Sequence, residues 1–271
     1  MADPFFIVGT GRSGSEFLQR TLAAHDDIAL TSEAHVADFL YFCSQFASVP
    51  QKTTREFVVH DRVELHGIIR DEAIETFTPI FLRHAKQMLE EFYREHFAGE
   101  EFRYWGDKLP GPETAIQLQH IWPETRYAIL VRDPRAVCAS VRKFGERDIR
   151  AAPLIEQGSV AGWAKYIHHS FHALLEYLER RVVVRYEDLI ADPETEIGRV
   201  LDLLELEGAR DLVEMAAPQS MYRTHGTSGD PRKSLEAWRD VLTDDEVASV
   251  ETTCGWLMDR FGYERTTSSG R

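Results

Sequence analysis

Cysteine is scarce in this chain. Only Cys43, Cys138 and Cys254 occur, odd in number and far apart, with no CxxC. That argues against a disulfide framework or a cysteine zinc site and fits a reducing cytoplasm. Each thiol reads as a small buried apolar group. Long hydrophobic runs are also missing: no segment reaches the roughly 18 apolar residues of a membrane span. The opening MADPFFIVGT carries no basic stretch of a signal peptide. The expectation is a soluble, cytoplasmic protein. Basic residues are outnumbered, 31 against 45 acidic ones, for a net charge of −14. Such a surface repels nucleic acid, polyanionic glycans and anionic membranes. An anionic ligand must therefore be gripped by a local cluster of Arg and Lys. His60, His66, His84 and His96 lack metal-ligand spacing, so no metal is expected. No internal repeat, low-complexity tract or linker stands out.

What is present is an ordinary globular composition, 43% hydrophobic and 28% charged. The 271 residues suffice for one sizeable core, read as a single domain over 1–265 with a frayed tail over 266–271. Pro4 to Gly9, Arg126 to Val131 and Arg181 to Tyr186 are short apolar runs that read as buried strands. A further strand-like run precedes Glu33. Helical spacing covers 15–24, 70–98, 160–179 and 243–261. Asp133-Pro134 and Asp192-Pro193 pair an N-cap acid with Pro at the first helical position. Thr243 and Glu246 form a capping box. Apolar strands separated by helices predict an α/β chain, a three-layer α/β/α arrangement around a mainly parallel sheet.

The loop Gly9-Thr10-Gly11-Arg12-Ser13-Gly14-Ser15 lies between the first strand and the first helix. Backbone N–H groups of a glycine-rich turn at a helix N-terminus cradle anions. By itself such a loop is equally well a plain strand-to-helix turn. Gly9 and Gly14 match the glycines of G-x-x-x-x-G-K-[ST]. Ser15 stands where that pattern needs Lys, and Glu16 where it needs the Mg²⁺-binding hydroxyl. The spacing also fits G-x-G-x-x-G, with Glu33 near the distance of the acid in a dinucleotide fingerprint.

The stretches GTGRSGSEFLQRTLAAH, YAILVRDPRAVCASVRKFG, VVVRYEDLIADPETEIGRVLDLL and LEAWRDVLTDDEVASVE resemble segments of sulfotransferases that use 3′-phosphoadenosine 5′-phosphosulfate (PAPS). The resemblance implies a P-loop-like fold with PAPS as co-substrate and no metal. It places the 5′-phosphosulfate on Gly11, Arg12, Ser13, Gly14 and Ser15, and the 3′-phosphate on Arg132 and Ser140. It implies Tyr186 near the nucleotide and Arg232 and Lys233 closing over the 3′-phosphate, with Gly226 and Gly229 as hinges of a lid. Lys108, in YWGDKLPG, would contact the bridging oxygen of the donor. Glu33 would be the general base, with His35 as the other candidate. Glu16 departs from the family's hydroxyl residue, and Arg20 is spaced to pair with it.

The implied activity is sulfuryl transfer to a hydroxyl or amine of a small-molecule, lipid or sugar acceptor, with no nucleic-acid partner and a homodimer left open. Phe39, Tyr41, Phe42, Phe46, Phe57, Phe77 and Phe81 read either as walls of the acceptor pocket or as core. Two alternatives stay open from the sequence: a nucleotide kinase or NTPase, and a PAPS-binding module without catalysis.

Overall fold

The computed structural model describes residues 2–37, 40, 71–109, 111–147, 159–215 and 232–266. Within them five strands form one sheet: β1 (Asp3–Gly9), β2 (Ile28–Ser32), β3 (Tyr104–Leu109), β4 (Arg126–Val131) and β5 (Arg180–Arg185). Their order is β2-β3-β1-β4-β5, and every pairing is parallel. The chain starts in the middle at β1, builds one side, then crosses to the other. That reversal leaves a crevice at the carboxyl ends of β1 and its neighbours, where open α/β sheets hold ligands.

The period of two along each strand sorts side chains between two cores. Phe5, Ile7, Ala128 and Leu130 point to one face, under the helices Ser15–Leu22 and Pro193–Leu203. Phe6, Val8, Tyr127 and Ile129 point to the other, under Pro112–Ile121, Val160–Tyr177 and Asp244–Thr253. Helices thus cover both faces, which is the three-layer α/β/α, P-loop-like architecture. Each fully buried β1 side chain contributes about 1.5–3 kcal/mol.

Asp133 accepts the Arg135 N–H at 2.8 Å and Asp192 that of Thr195 at 3.2 Å. The Thr243–Glu246 capping box is present. One helix expected over 243–261 is in fact two, Asp244–Thr253 and Gly255–Phe261, joined at Cys254. The break brings Gly255 against Arg265, whose guanidinium would lie 2.8 Å from a Cβ there. Thr266, read as the start of the tail, donates its N–H and Oγ1 to Glu251 at 2.9 and 2.8 Å. Of the aromatic set, Phe81 packs against the core. Phe39, Tyr41, Phe42, Phe46, Phe57 and the Phe77 side chain lie outside the described residues, as do Cys43, Gly226 and Gly229.

Strand β3 has no clean sequence signature, because YWGDKL places Gly, Asp and Lys in a fully buried strand. Gly106 is required by close approach. A Cβ there would lie 1.7 Å from the Phe5 carbonyl oxygen, between the paired positions Pro4–Trp105 and Ile7–Lys108. Gly106→Ala is expected to force β1 and β3 apart and to cost about 3 kcal/mol or more, read as a lowered urea midpoint. A midpoint unchanged from the parent would contradict this packing.

Candidate functional site

The loop after β1 is shaped by its own backbone. Ser13 N–H donates to the Thr10 carbonyl at 3.2 Å, and Phe17 N–H to the Gly14 carbonyl at 3.1 Å. Arg12 sits at φ 70° and Gly14 at φ 95°. For Arg12 this left-handed conformation costs of order 1–3 kcal/mol, and it persists only where surrounding contacts enforce it. Gly14 could not carry a side chain: a Cβ would lie 2.3 Å from the Tyr186 ring. Thr10 Oγ1 and Ser13 Oγ are buried without a hydrogen-bond partner among the described residues. Glu16, the departure noted in the loop, is paired with Arg20 one turn on, so its charge is compensated within the helix.

Arg132, the first residue after β4, enforces the Arg12 conformation. One of its terminal nitrogens donates to the Arg12 carbonyl at 3.0 Å. The other donates to the Ser234 carbonyl at 2.8 Å and to Ser234 Oγ at 3.0 Å. Its guanidinium lies 4.5 Å from the centre of the Tyr186 ring, and its Nε is buried without a partner among the described residues. Burial depresses the Arg132 pKa, while nearby Tyr186, Glu187 and Asp133 oppose that shift. Glu187 is held in turn by the Asp133 N–H at 3.0 Å and the Tyr263 hydroxyl at 2.8 Å. Burial nonetheless pushes its carboxyl upward.

Arg12 reaches across to the same segment. Its Nε donates to Ser140 Oγ at 3.3 Å, and its guanidinium lies over Phe144 at 4.7 Å. Arg12, Gly14, Arg132, Ser140 and Tyr186 are therefore brought into one contact network, with Ser13 in the same loop and Ser15 opening the helix beside it. Gly11 has open space where its Cβ would be. Arg232 and Lys233 sit in a short 3₁₀ turn ending at Ser234, next to the Arg132 contact, with exposed side chains.

Glu33 and Lys108 form a second group. Lys108 is buried in β3, and its Nζ is ion-paired with the half-exposed carboxylate of Glu33. Glu33 and His35 both have positive φ, 52° and 57°, in the turn directly after β2. His35 is exposed. Asp107 was not anticipated. It is 1% exposed and accepts the Ala34 N–H at 3.1 Å and the Lys108 N–H at 2.8 Å. Burial raises its pKa, and the backbone hydrogen bonds from Lys108 and Ala34 work against that rise. The available signal was an acid directly before Lys108, but it reads as functional only once β3 is known to be a strand. Phe144 and Ser234 carried no sequence signal for their contacts with Arg12 and Arg132.

Both groups stand at the carboxyl ends of adjacent strands. Lys108 pairs in register with Ile7 and Ser32, and Arg132 follows β4 beside Gly9. Ser13 Oγ and Arg132 Nε, both without a hydrogen-bond partner among the described residues, fit an anionic ligand together with the guanidinium of Arg12. A dinucleotide fold is not supported: its second strand adjoins the first, whereas β3 separates β2 from β1 here. A cleft of about 260 Å³ near Tyr93, Trp105 and Trp122 opens at the Ala2–Pro4 end of β1, away from these groups.

The model of the sulfotransferase family matches residues 4–211. Nodulation protein NoeE of Sinorhizobium fredii is 26% identical over 98% of this chain and 67% of its own length. Protein-tyrosine sulfotransferase 1 of Danio rerio is 25% identical over 74% of this chain and 52% of its own. Carbohydrate sulfotransferase 2 of Homo sapiens is 34% identical over 32% of this chain, 18% of its own length. Among solved structures, the sulfotransferase domain from the curacin biosynthetic pathway superposes with a TM-score of 0.60 at 17% identity, covering 97% of this chain and 99% of that one. A mouse sulfotransferase complexed with PAP gives 0.52 at 12%, covering 95% and 85%.

Gly14→Ala tests the loop geometry directly. It meets both a positive φ and the Tyr186 ring, so a loss of at least about 1–3 kcal/mol is expected by urea unfolding. A loss well below 1 kcal/mol would contradict the Gly14–Tyr186 contact.

Proposed function

The chain belongs to the sulfotransferase family, and from that we propose that it transfers a sulfuryl group from PAPS to a hydroxyl or amine of its acceptor. The observation that carries this reading is the joined anion site. Arg132 holds the Arg12 carbonyl and Arg12 holds Ser140, so a 5′ and a 3′ anion can be gripped by one connected set of groups. PAPS bound there supplies an electrophilic sulfur carried on a phosphate leaving group. Gly11, Arg12, Ser13, Gly14 and Ser15 hold the 5′ end through backbone N–H, hydroxyl and guanidinium donors. Arg132 and Ser140, with Arg232 and Lys233 beside them, hold the 3′-phosphate, and Tyr186 supports the loop from below.

Glu33 takes the proton that the acceptor gives up. In the ion pair Glu33 is occupied by Lys108, so Lys108 must turn toward the leaving phosphate before Glu33 can act. The two roles are then coupled: the charge that frees Glu33 is the charge that stabilises the leaving group. His35, exposed two residues on, is the other candidate base. The kinase alternative is disfavoured by Ser15 at the Lys position and by Glu16, already committed to Arg20. For the acceptor, the names of the relatives favour sugars, already among the small-molecule, lipid and sugar acceptors expected from the sequence, and add protein tyrosine to them.

Calorimetric titration should give binding of 3′,5′-ADP and none of comparable strength for ATP; tight Mg²⁺-dependent ATP binding would sink the proposal. With labelled PAPS and a panel of N-acetylglucosamine, 4-nitrophenol, a fatty alcohol and a tyrosine peptide, Arg12→Ala is expected to lose about 10²–10³ in turnover. Full transfer by that variant would remove Arg12 from the mechanism.

A further inference from the structure

We propose that Asp107 is a positioning residue: its buried carboxylate clamps the turn Glu33–Ala34–His35 onto β3 and so presents Glu33 to Lys108. The proposal rests on the reading of Glu33 as the base. Each Asp107 oxygen is spent on a different N–H, Oδ2 on Ala34 and Oδ1 on Lys108. One carboxylate thus joins the backbone of the turn after β2, 73 positions away in sequence, to the backbone of the catalytic lysine that follows it. With 1% exposure and both oxygens turned to backbone, Asp107 is not itself placed to take a proton from an acceptor.

The turn needs such a clamp. Glu33 and His35 both hold positive φ, a conformation that L side chains adopt only under constraint. Ala34, between them, has no side-chain polar group, so its peptide N–H is the available handle. The β2–β3 ladder ends at Ser32 opposite Lys108, and Thr31 Oγ1 adds a bond to the Gly106 carbonyl at 3.2 Å. Beyond Ser32 the Asp107–Ala34 bond takes over. A buried carboxylate is costly unless hydrogen-bonded, which suits a group retained for the N–H pair it organises. Asn at the same position has a single acceptor oxygen and would release one of the two N–H groups.

Hydrogen exchange at the Ala34 amide, read by NMR in the full-length parent chain, tests the clamp without any variant. The amide is expected to be protected; exchange at the rate of an open chain overturns the proposal. Turnover is then read as 3′,5′-ADP release from PAPS with the best acceptor of the panel. Asp107→Asn is expected to lose about 10²-fold in kcat, with 3′,5′-ADP affinity within about twofold of the parent. In a Glu33→Gln background it should lose no more than about twofold, because two residues acting through one group are not additive. An equal loss in both backgrounds, or weakened 3′,5′-ADP binding, means a general structural role and overturns the proposal. Glu33→Gln with parental turnover would instead sink the Glu33 reading, and the Ala34 exchange would still decide whether Asp107 clamps the turn.

Discussion

The guanidinium of Arg132 is the contact on which the site depends. It is buried at the end of β4 and joins three separate stretches of chain: the Arg12 carbonyl in the loop after β1, Ser234 far downstream, and the ring of Tyr186 after β5. Arg12 keeps its left-handed backbone because its carbonyl is held there. Tyr186 in turn presses on Gly14, where any side chain would collide. A buried cation is expensive unless its donors are used. Arg132 spends its terminal nitrogens on the protein and leaves Nε without a partner among the described residues.

The surroundings offset locally the net charge of −14. Charge far from the site is screened within about 8–10 Å at ordinary salt, whereas partly buried guanidinium groups act through a lower dielectric. Three acids beside the site are compensated within the described residues. Glu16 is paired with Arg20 and Glu33 with Lys108. Glu187 accepts from the Asp133 N–H and the Tyr263 hydroxyl. Local pairing, not overall charge, therefore sets the sign of the field that a ligand meets.

The parts legible in the sequence are those governed by short-range rules. The apolar run from Pro4, the glycine turn and the Asp-Pro helix starts each lie within one local window, and the structure has the helix starts at Pro134 and Pro193 as expected and the first strand one residue earlier, at Asp3. The Glu16–Arg20 pair follows from helical spacing alone. Strand β3 was not legible, because Asp107 and Lys108 occupy buried positions that pattern reasoning assigns to apolar residues. Their partners, Ala34 and Glu33, are more than 70 residues away. The dinucleotide reading of the loop could be set aside only by strand order, which no local spacing encodes.

The sequence by itself determined an α/β chain with a glycine-rich loop after its first strand, a basic residue at a second strand end in Arg132, and the family resemblance that joined them. Backbone propensity, caps and periodicity act over a few residues, so they can be read from a single window. Only the tertiary structure decided that Arg132 braces Arg12, that Lys108 is buried against Glu33, and that Asp107 ties the Glu33 turn to β3. Those contacts arise from parallel strands brought side by side by crossovers, and their partners are set by the order of the strands in the sheet.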